Sequence, residues 1–223
     1  AKSLENRMHS AIEMKSGLLK NIEQTSSLKI SPLSYSKRTL ITASSLALYY
    51  GDVRICNEIN FQLHPGERIA VTGRNGCGKS TLLKLIYGEN IQHSGTLDID
   101  SKLKISYVSQ DTSDLKGSLT AYAEQYMIDE SLLKAILRKM GFERIQFEKD
   151  IENFSEGQKK KVLIARSLCE QAHLYIWDEP LNYIDVITRM QIEELILEYK
   201  PTMLFVEHDS IFEQKIATNT IEL

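Results

Sequence analysis

Residues 73–80, Gly73-Arg74-Asn75-Gly76-Cys77-Gly78-Lys79-Ser80, form a glycine-rich run that ends on a lysine and a hydroxyl. The pattern is G-x-x-x-x-G-K-[ST], and it lies between an apolar run and a helical one. Glycines let the backbone wrap closely, so that its N–H groups aim at phosphate oxygens. The helix that follows adds its positive dipole end. Lys79 is placed to reach the outer phosphates of a nucleoside triphosphate, and Ser80 to hold Mg2+. Thr81 follows directly and belongs to the same nucleotide-binding run. A second group is the carboxylate pair Asp178-Glu179, at the end of the apolar run Leu174–Trp177. Asp178 suits Mg2+ through its water shell, and Glu179 suits polarisation of an attacking water. A third is Ser155-Glu156-Gly157-Gln158. Ser155 with Gln158 fits a capping box, and a capped helix start with a small residue is also an anion site.

These groups act together only if regular elements converge on one edge. Residues 55–63, 68–72, 105–108, 174–177 and 203–206 read as strands. Helices are expected over 79–86, within a helix-rich stretch 118–141 capped near Gly141, over 156–170, and over 186–199 before Pro201. Continuous apolar strands alternating with helices predict an α/β fold with a parallel sheet covered on both faces. Ligands of such sheets sit at the carboxyl ends of the strands. Every group named above falls there.

The chain has 223 residues, of which 42% are hydrophobic. That suffices for one substantial core and a small appendage. No apolar run approaches the roughly 18–20 residues of a membrane-spanning helix. Cys56, Cys77 and Cys169 are too scattered for a metal cluster, and their small odd number fits free thiols in a reducing cytoplasm. Residues 1–40 hold seven Lys/Arg and three Glu, a net of +4, whereas the whole chain carries −3. A basic start on an acidic body suits either a solvated helix face or a polyanionic partner. Leu4, Met8, Ile12, Leu19 and Ile22 give helical spacing with a narrow apolar stripe, followed by a polar linker through Thr25, Ser26, Ser27, Pro32 and Ser34.

The ordered set of motifs resembles the ATP-binding-cassette (ABC) superfamily. The phosphate loop is followed by a Q-loop-like Tyr107-Val108-Ser109-Gln110. The signature-like segment 153–158, the Asp178-Glu179 pair and a D-loop-like Leu181-Asn182-Tyr183-Ile184-Asp185 come next, and Glu207-His208-Asp209 ends the set. The resemblance implies a P-loop NTPase core with an antiparallel β subdomain and a small helical subdomain. It implies that Gln110 touches Mg2+ or the lytic water, and that His208 contacts the γ-phosphate and keeps Glu179 aligned. It further implies ATP sandwiched between the phosphate loop of one domain and Ser155, Gly157 and Gln158 of another. Tyr50 is the expected adenine-stacking residue, with Tyr49 as the competing choice. Position 156 departs from the common signature, which has Gly there. Its carboxylate either repels a partner-bound triphosphate or points away and supports the first helical turn.

Within the superfamily, two classes remain: the motor subunit of a membrane transporter, and an ABC-F translation factor that carries two cassettes and acts on the ribosome. The 45 residues from Gln110 to Ser155 are short for a transporter's docking subdomain. Residues 1–37 resemble the end of the ABC-F interdomain linker, leaving 38–223 as the nucleotide-binding domain. Residues 157–167, 177–186 and 206–209 look like the second cassette of antibiotic-resistance ABC-F proteins, which protect the ribosome. The expectation is therefore an Mg·ATP-dependent ATPase half of a longer cytoplasmic polypeptide. Its partners would be a second cassette, supplied by the same parent chain or by self-pairing, and rRNA and tRNA, without membrane insertion.

Overall fold

The computed structural model describes residues 28–223. The helix expected over the first 23 residues lies outside them. Among the described residues nine strands form two sheets, accompanied by six α-helices. Five strands form the parallel sheet: β4 (Arg68–Thr72), β6 (Ile105–Val108), β7 (Leu174–Asp178), β8 (Met203–Val206) and β9 (Asn219–Glu222). Their order is β6-β7-β8-β4-β9, and every pairing is parallel. All residues of β7 and β8 are buried. This is why these strands read as unbroken apolar runs rather than alternating ones.

Alternation reappears in what each face touches. Tyr175, Trp177, Met203 and Phe205 enter one core cluster, and Leu174, Ile176, Leu204 and Val206 enter the other. The period of two splits the sheet between two cores. The first lies against α2 (Leu119–Gln125), α3 (Glu130–Lys139), α4 (Glu156–Cys169), α5 (Val186–Tyr199) and α6 (Ser210–Ile216). The second lies against α1 (Lys79–Tyr87) and the antiparallel sheet.

That second sheet is built on β1 (Ile41–Tyr50), which pairs antiparallel with β2 (Val53–Arg54), β3 (Ile59–Leu63) and β5 (His93–Ile99). The register of β1 shifts between Ala43 and Leu46, where Ser45 has φ 47°. The strand expected over 55–63 is shorter than its apolar content suggested. Within it the strand is Ile59–Leu63, and Ile55-Cys56-Asn57-Glu58 connects it to β2. The helix-rich stretch 118–141 is two helices, each started by its own cap. Ser118 accepts from the Ala121 N–H, and Asp129 accepts from the Leu132 N–H. Gly141 follows α3 at φ 89°. Residues 28–37 lie on the domain. Leu28 and Ile30 are buried in the helical core, and the Leu33 N–H donates to the Ala172 carbonyl at 2.8 Å. Among the described residues no helix is long and apolar enough to cross a membrane.

Candidate functional site

The loop between β4 and α1 makes the floor of the site. Gly73 sits at φ 139°, and a Cβ there would meet Cys77 Sγ at 2.7 Å and the Leu223 carbonyl at 2.8 Å. A side chain would both strain the backbone and push the loop off the sheet end. The Lys79 ammonium lies across the loop, donating to the carbonyls of Gly73 (2.9 Å) and Arg74 (3.1 Å). Ser80 Oγ donates to Asp178 Oδ1 at 3.1 Å, joining α1 to the end of β7. Asp178 is 1% exposed. Burial pushes its carboxyl above the usual range, opposed by the Ser80 hydroxyl. A hydroxyl and a buried carboxylate at this spacing are the oxygen donors that Mg2+ takes alongside phosphates and water.

Glu179 is the point of convergence. Its backbone has φ 46°, and its N–H is held by the Val206 carbonyl at 3.0 Å. Gln110 Nε2 donates to Glu179 Oε2 at 2.8 Å, and Asn182 Nδ2 donates to the same oxygen at 2.6 Å. His208 Nε2 lies 3.1 Å from Oε1, the tautomer with Nε2–H being the donor. Three loops, after β6, β7 and β8, therefore fix one carboxylate. Next to it, Glu207 accepts from the Leu181 N–H (3.2 Å) and the His208 N–H (2.9 Å). Burial raises its carboxyl as well.

Lys79, Ser80, Gln110, Glu179 and His208 line one open cleft of about 560 Å3, with Asp178, Asn182 and Glu207 behind its lining. Asn75, Gly76, Gly78, Lys79, Ser80 and Thr81 form one wall. Gln110, Glu179 and His208 form the far end, and Tyr50 with Ile55 forms the near end. Tyr50 is 79% exposed. Tyr49 instead turns its hydroxyl toward Ser94 Oγ, at 3.4 Å. Gly73, Arg74 and Cys77 do not line the cleft; their backbone shapes its loop. The cleft thus holds an aromatic residue, the glycine-rich loop and a fixed carboxylate.

Ser155, Gly157 and Gln158 are elsewhere. They start α4, where Gln158 Oε1 accepts from the Ser155 N–H (2.9 Å) and Ser155 Oγ accepts from the Gln158 N–H (3.3 Å). The capping box is formed on both sides, but none of the three reaches the cleft. Gly157 packs on the loop after β7. A Cβ there would lie 2.5 Å from the Tyr183 carbonyl. Glu156 turns back toward its own chain. Thr112 Oγ1 donates to it at 2.5 Å and the Lys159 ammonium at 3.2 Å, and these bonds hold its carboxyl below the usual range.

Two contributors were not singled out from sequence. Asn182 stands three residues after Glu179, inside the D-loop-like run, and its spacing was the available signal. Lys160 is buried at 2% exposure and donates to the Ser109 carbonyl at 3.0 Å. Inside a run of three lysines nothing marks it out.

The family model described as ABC transporter matches residues 56–182. ABC transporter F family member 2 of Arabidopsis thaliana is 29% identical over 84% of this chain and 29% of its own length. The ribosome protection protein VmlR of Bacillus subtilis is 26% identical over 99% of this chain and 41% of its own. The chain thus spans well under half the length of these relatives. The solved ATP-binding subunit of an ABC transporter shares the fold with a TM-score of 0.65 at 24% identity, over 83% of this chain and 86% of that one.

Proposed function

The chain belongs to the ABC transporter family, and on that footing we propose that it is one cassette of an ABC-F protein, an ATP-gated clamp that closes with a second cassette. ATP binding and hydrolysis come with the family. The observation that carries the pairing is the outward position of Ser155 and Gly157. A complete phosphate cleft and a capped helix start stand in one chain without meeting, so each needs its complement from another domain. A shared γ-phosphate then gathers donors from both halves, and hydrolysis removes them.

Within the cleft, Tyr50 stacks on the adenine and the loop 73–80 cradles the phosphates. Lys79 reaches the outer phosphates, and Ser80 and Asp178 hold Mg2+ with Gln110 nearby. Bound Mg2+ neutralises charge that develops on the phosphates. Glu179 orients and polarises the attacking water, because two amides and an imidazole keep its carboxylate from turning away. His208 also faces the γ-phosphate.

The ABC-F reading is supported by likeness to VmlR across 99% of the chain, by the short interval from Gln110 to Ser155, and by the basic residues of segment 1–40. It makes residues 1–37 the end of an interdomain linker and 38–223 the nucleotide-binding domain. The full protein is then cytoplasmic, touches rRNA and tRNA, and protects ribosomes from large-subunit antibiotics. The test is to sediment the full-length protein, with Glu179→Gln and the matching change in its other cassette, with ribosomes. Co-sedimentation in ATP but not in ADP is the expected result. No association in either nucleotide overturns the ribosomal reading in favour of a transporter motor.

A further inference from the structure

We infer that Lys160 is a positioning residue for ATP hydrolysis: from the first turns of α4 it anchors the peptide that aims Gln110 at Glu179. The inference rests on the role proposed for Glu179. Lys159, Lys160 and Lys161 follow one another, yet they behave differently. Lys159 pairs with Glu156 at 3.2 Å, and Lys161 pairs with Asp185 at 2.5 Å and donates to the Met140 carbonyl. Lys160 turns inward. Only Lys79, in the phosphate loop, joins it among the buried lysines of the described residues.

A buried ammonium is costly unless it is paired and hydrogen-bonded. Packing alone would be better served there by an apolar side chain of the same length. Burial lowers the pKa of Lys160, while the carboxylates of Asp178, Glu179, Glu207 and Glu156 raise it. The ammonium is therefore a buried cation close to the carboxylates at this end of the sheet. Its donated bond goes to the Ser109 carbonyl, at 3.0 Å. That oxygen belongs to the peptide plane whose nitrogen is Gln110's. Fixing the carbonyl fixes the plane, and with it the direction in which Gln110 leaves the backbone. Gln110 Nε2 then stands 2.8 Å from Glu179 Oε2. Ser155 and Gly157 lie on the same helix, within five residues of Lys160. The anchor thus joins the helix offered to a second cassette with the carboxylate of this chain's own cleft.

The test is a double-mutant cycle in the full-length protein, after turnover of the unsubstituted protein has been established. Absence of that turnover would strike the hydrolysis reading itself, before Lys160 is examined. Lys160→Met should lower kcat about tenfold or more while KM for ATP stays within about twofold, because the phosphate loop is untouched. Lys160→Arg, which restores a charged donor, should recover kcat to within about threefold. In a Gln110→Ala background the added effect of Lys160→Met should shrink to under about twofold, since both act through one contact. Should the methionine variant fail to fold, Lys160→Gln takes its place and must show the same non-additivity. The proposal is overturned if kcat is unchanged, or if the two substitutions multiply fully.

Discussion

The cleft at the end of the parallel sheet and the start of α4 are both proposed to meet nucleotide phosphates, yet they are built differently. At the cleft, groups from loops far apart in sequence converge: Ser80 meets Asp178, and Gln110, Asn182 and His208 meet Glu179. At the start of α4 the capping bonds are local, although Glu156 also accepts from Thr112, 44 residues earlier. Ser155 and Gln158 cap each other, and Glu156 is held by Thr112 and Lys159. The first site is preorganised to act on what it holds. The second is preorganised only in shape, and its partner must be brought to it. The proposed pairing of cassettes rests on that asymmetry.

The largest effect is expected where the convergence is densest. Glu179→Gln should lower kcat by roughly 10^2–10^4-fold, the usual weight of a general base, with nucleotide affinity little changed. Single-turnover kinetics and binding of a fluorescent ATP analogue separate the two. A proportional loss of affinity would mean that Glu179 serves binding rather than water activation. Next comes Gly157→Ala, which attacks the border of the two regions. The added Cβ would sit 2.5 Å from the Tyr183 carbonyl, one residue from Asn182. The loop must move, at a cost of roughly 1–3 kcal/mol. Thermal unfolding and turnover should fall together, because a displaced Asn182 leaves Glu179. A variant of native stability with low turnover would confine Gly157 to the partner's nucleotide. Ser155→Ala is expected to cost about 1 kcal/mol through the lost cap. For a chain of this size that lowers Tm by roughly 2–4 °C.

The cleft was more legible in the sequence than the scaffold around it. β4, β6, β7 and β8 are largely buried apolar runs, and each ends on a candidate site residue or leads toward one. The antiparallel sheet offered no such pattern. β1 is broken at Ser45, where the backbone turns to positive φ and the alternation loses its register. β5 is largely exposed, and its inward-facing pair, Leu97 and Ile99, is too short a stripe to mark a strand. Residues 118–141 carry apolar spacing across a break that the Asp129 cap imposes. At the site, Lys160 was hidden by its neighbours. Composition marks all three lysines as a solvated face, and only the tertiary placement of Ser109 pulls one inward. The Tyr49/Tyr50 alternative also needed the fold, since the two differ only in which side of β1 they leave.

The smallest effect belongs to Glu156, and it separates two opposed views of that carboxylate. Its bonds to Thr112 and Lys159 hold the folded carboxyl below its ordinary value, the Thr112 bond contributing most. A depressed acid contributes stability that is fully present above the unfolded pKa, about 4.3, and is lost as pH falls through the folded one. The side chain is 54% exposed, so solvent screening keeps the contribution to a few tenths of a kcal/mol at most. Glu156→Gln should therefore lower Tm slightly at pH near 7, and the difference should vanish as the two curves converge in acid. Turnover of the paired protein should stay within about twofold, because the carboxylate is turned toward its own chain. Were it to face a partner's triphosphate instead, removing the charge would relieve repulsion and tighten ATP-dependent pairing several-fold. Sedimentation of the paired cassettes across ATP concentrations decides between them, and a marked gain in pairing would reverse the orientation assigned to Glu156.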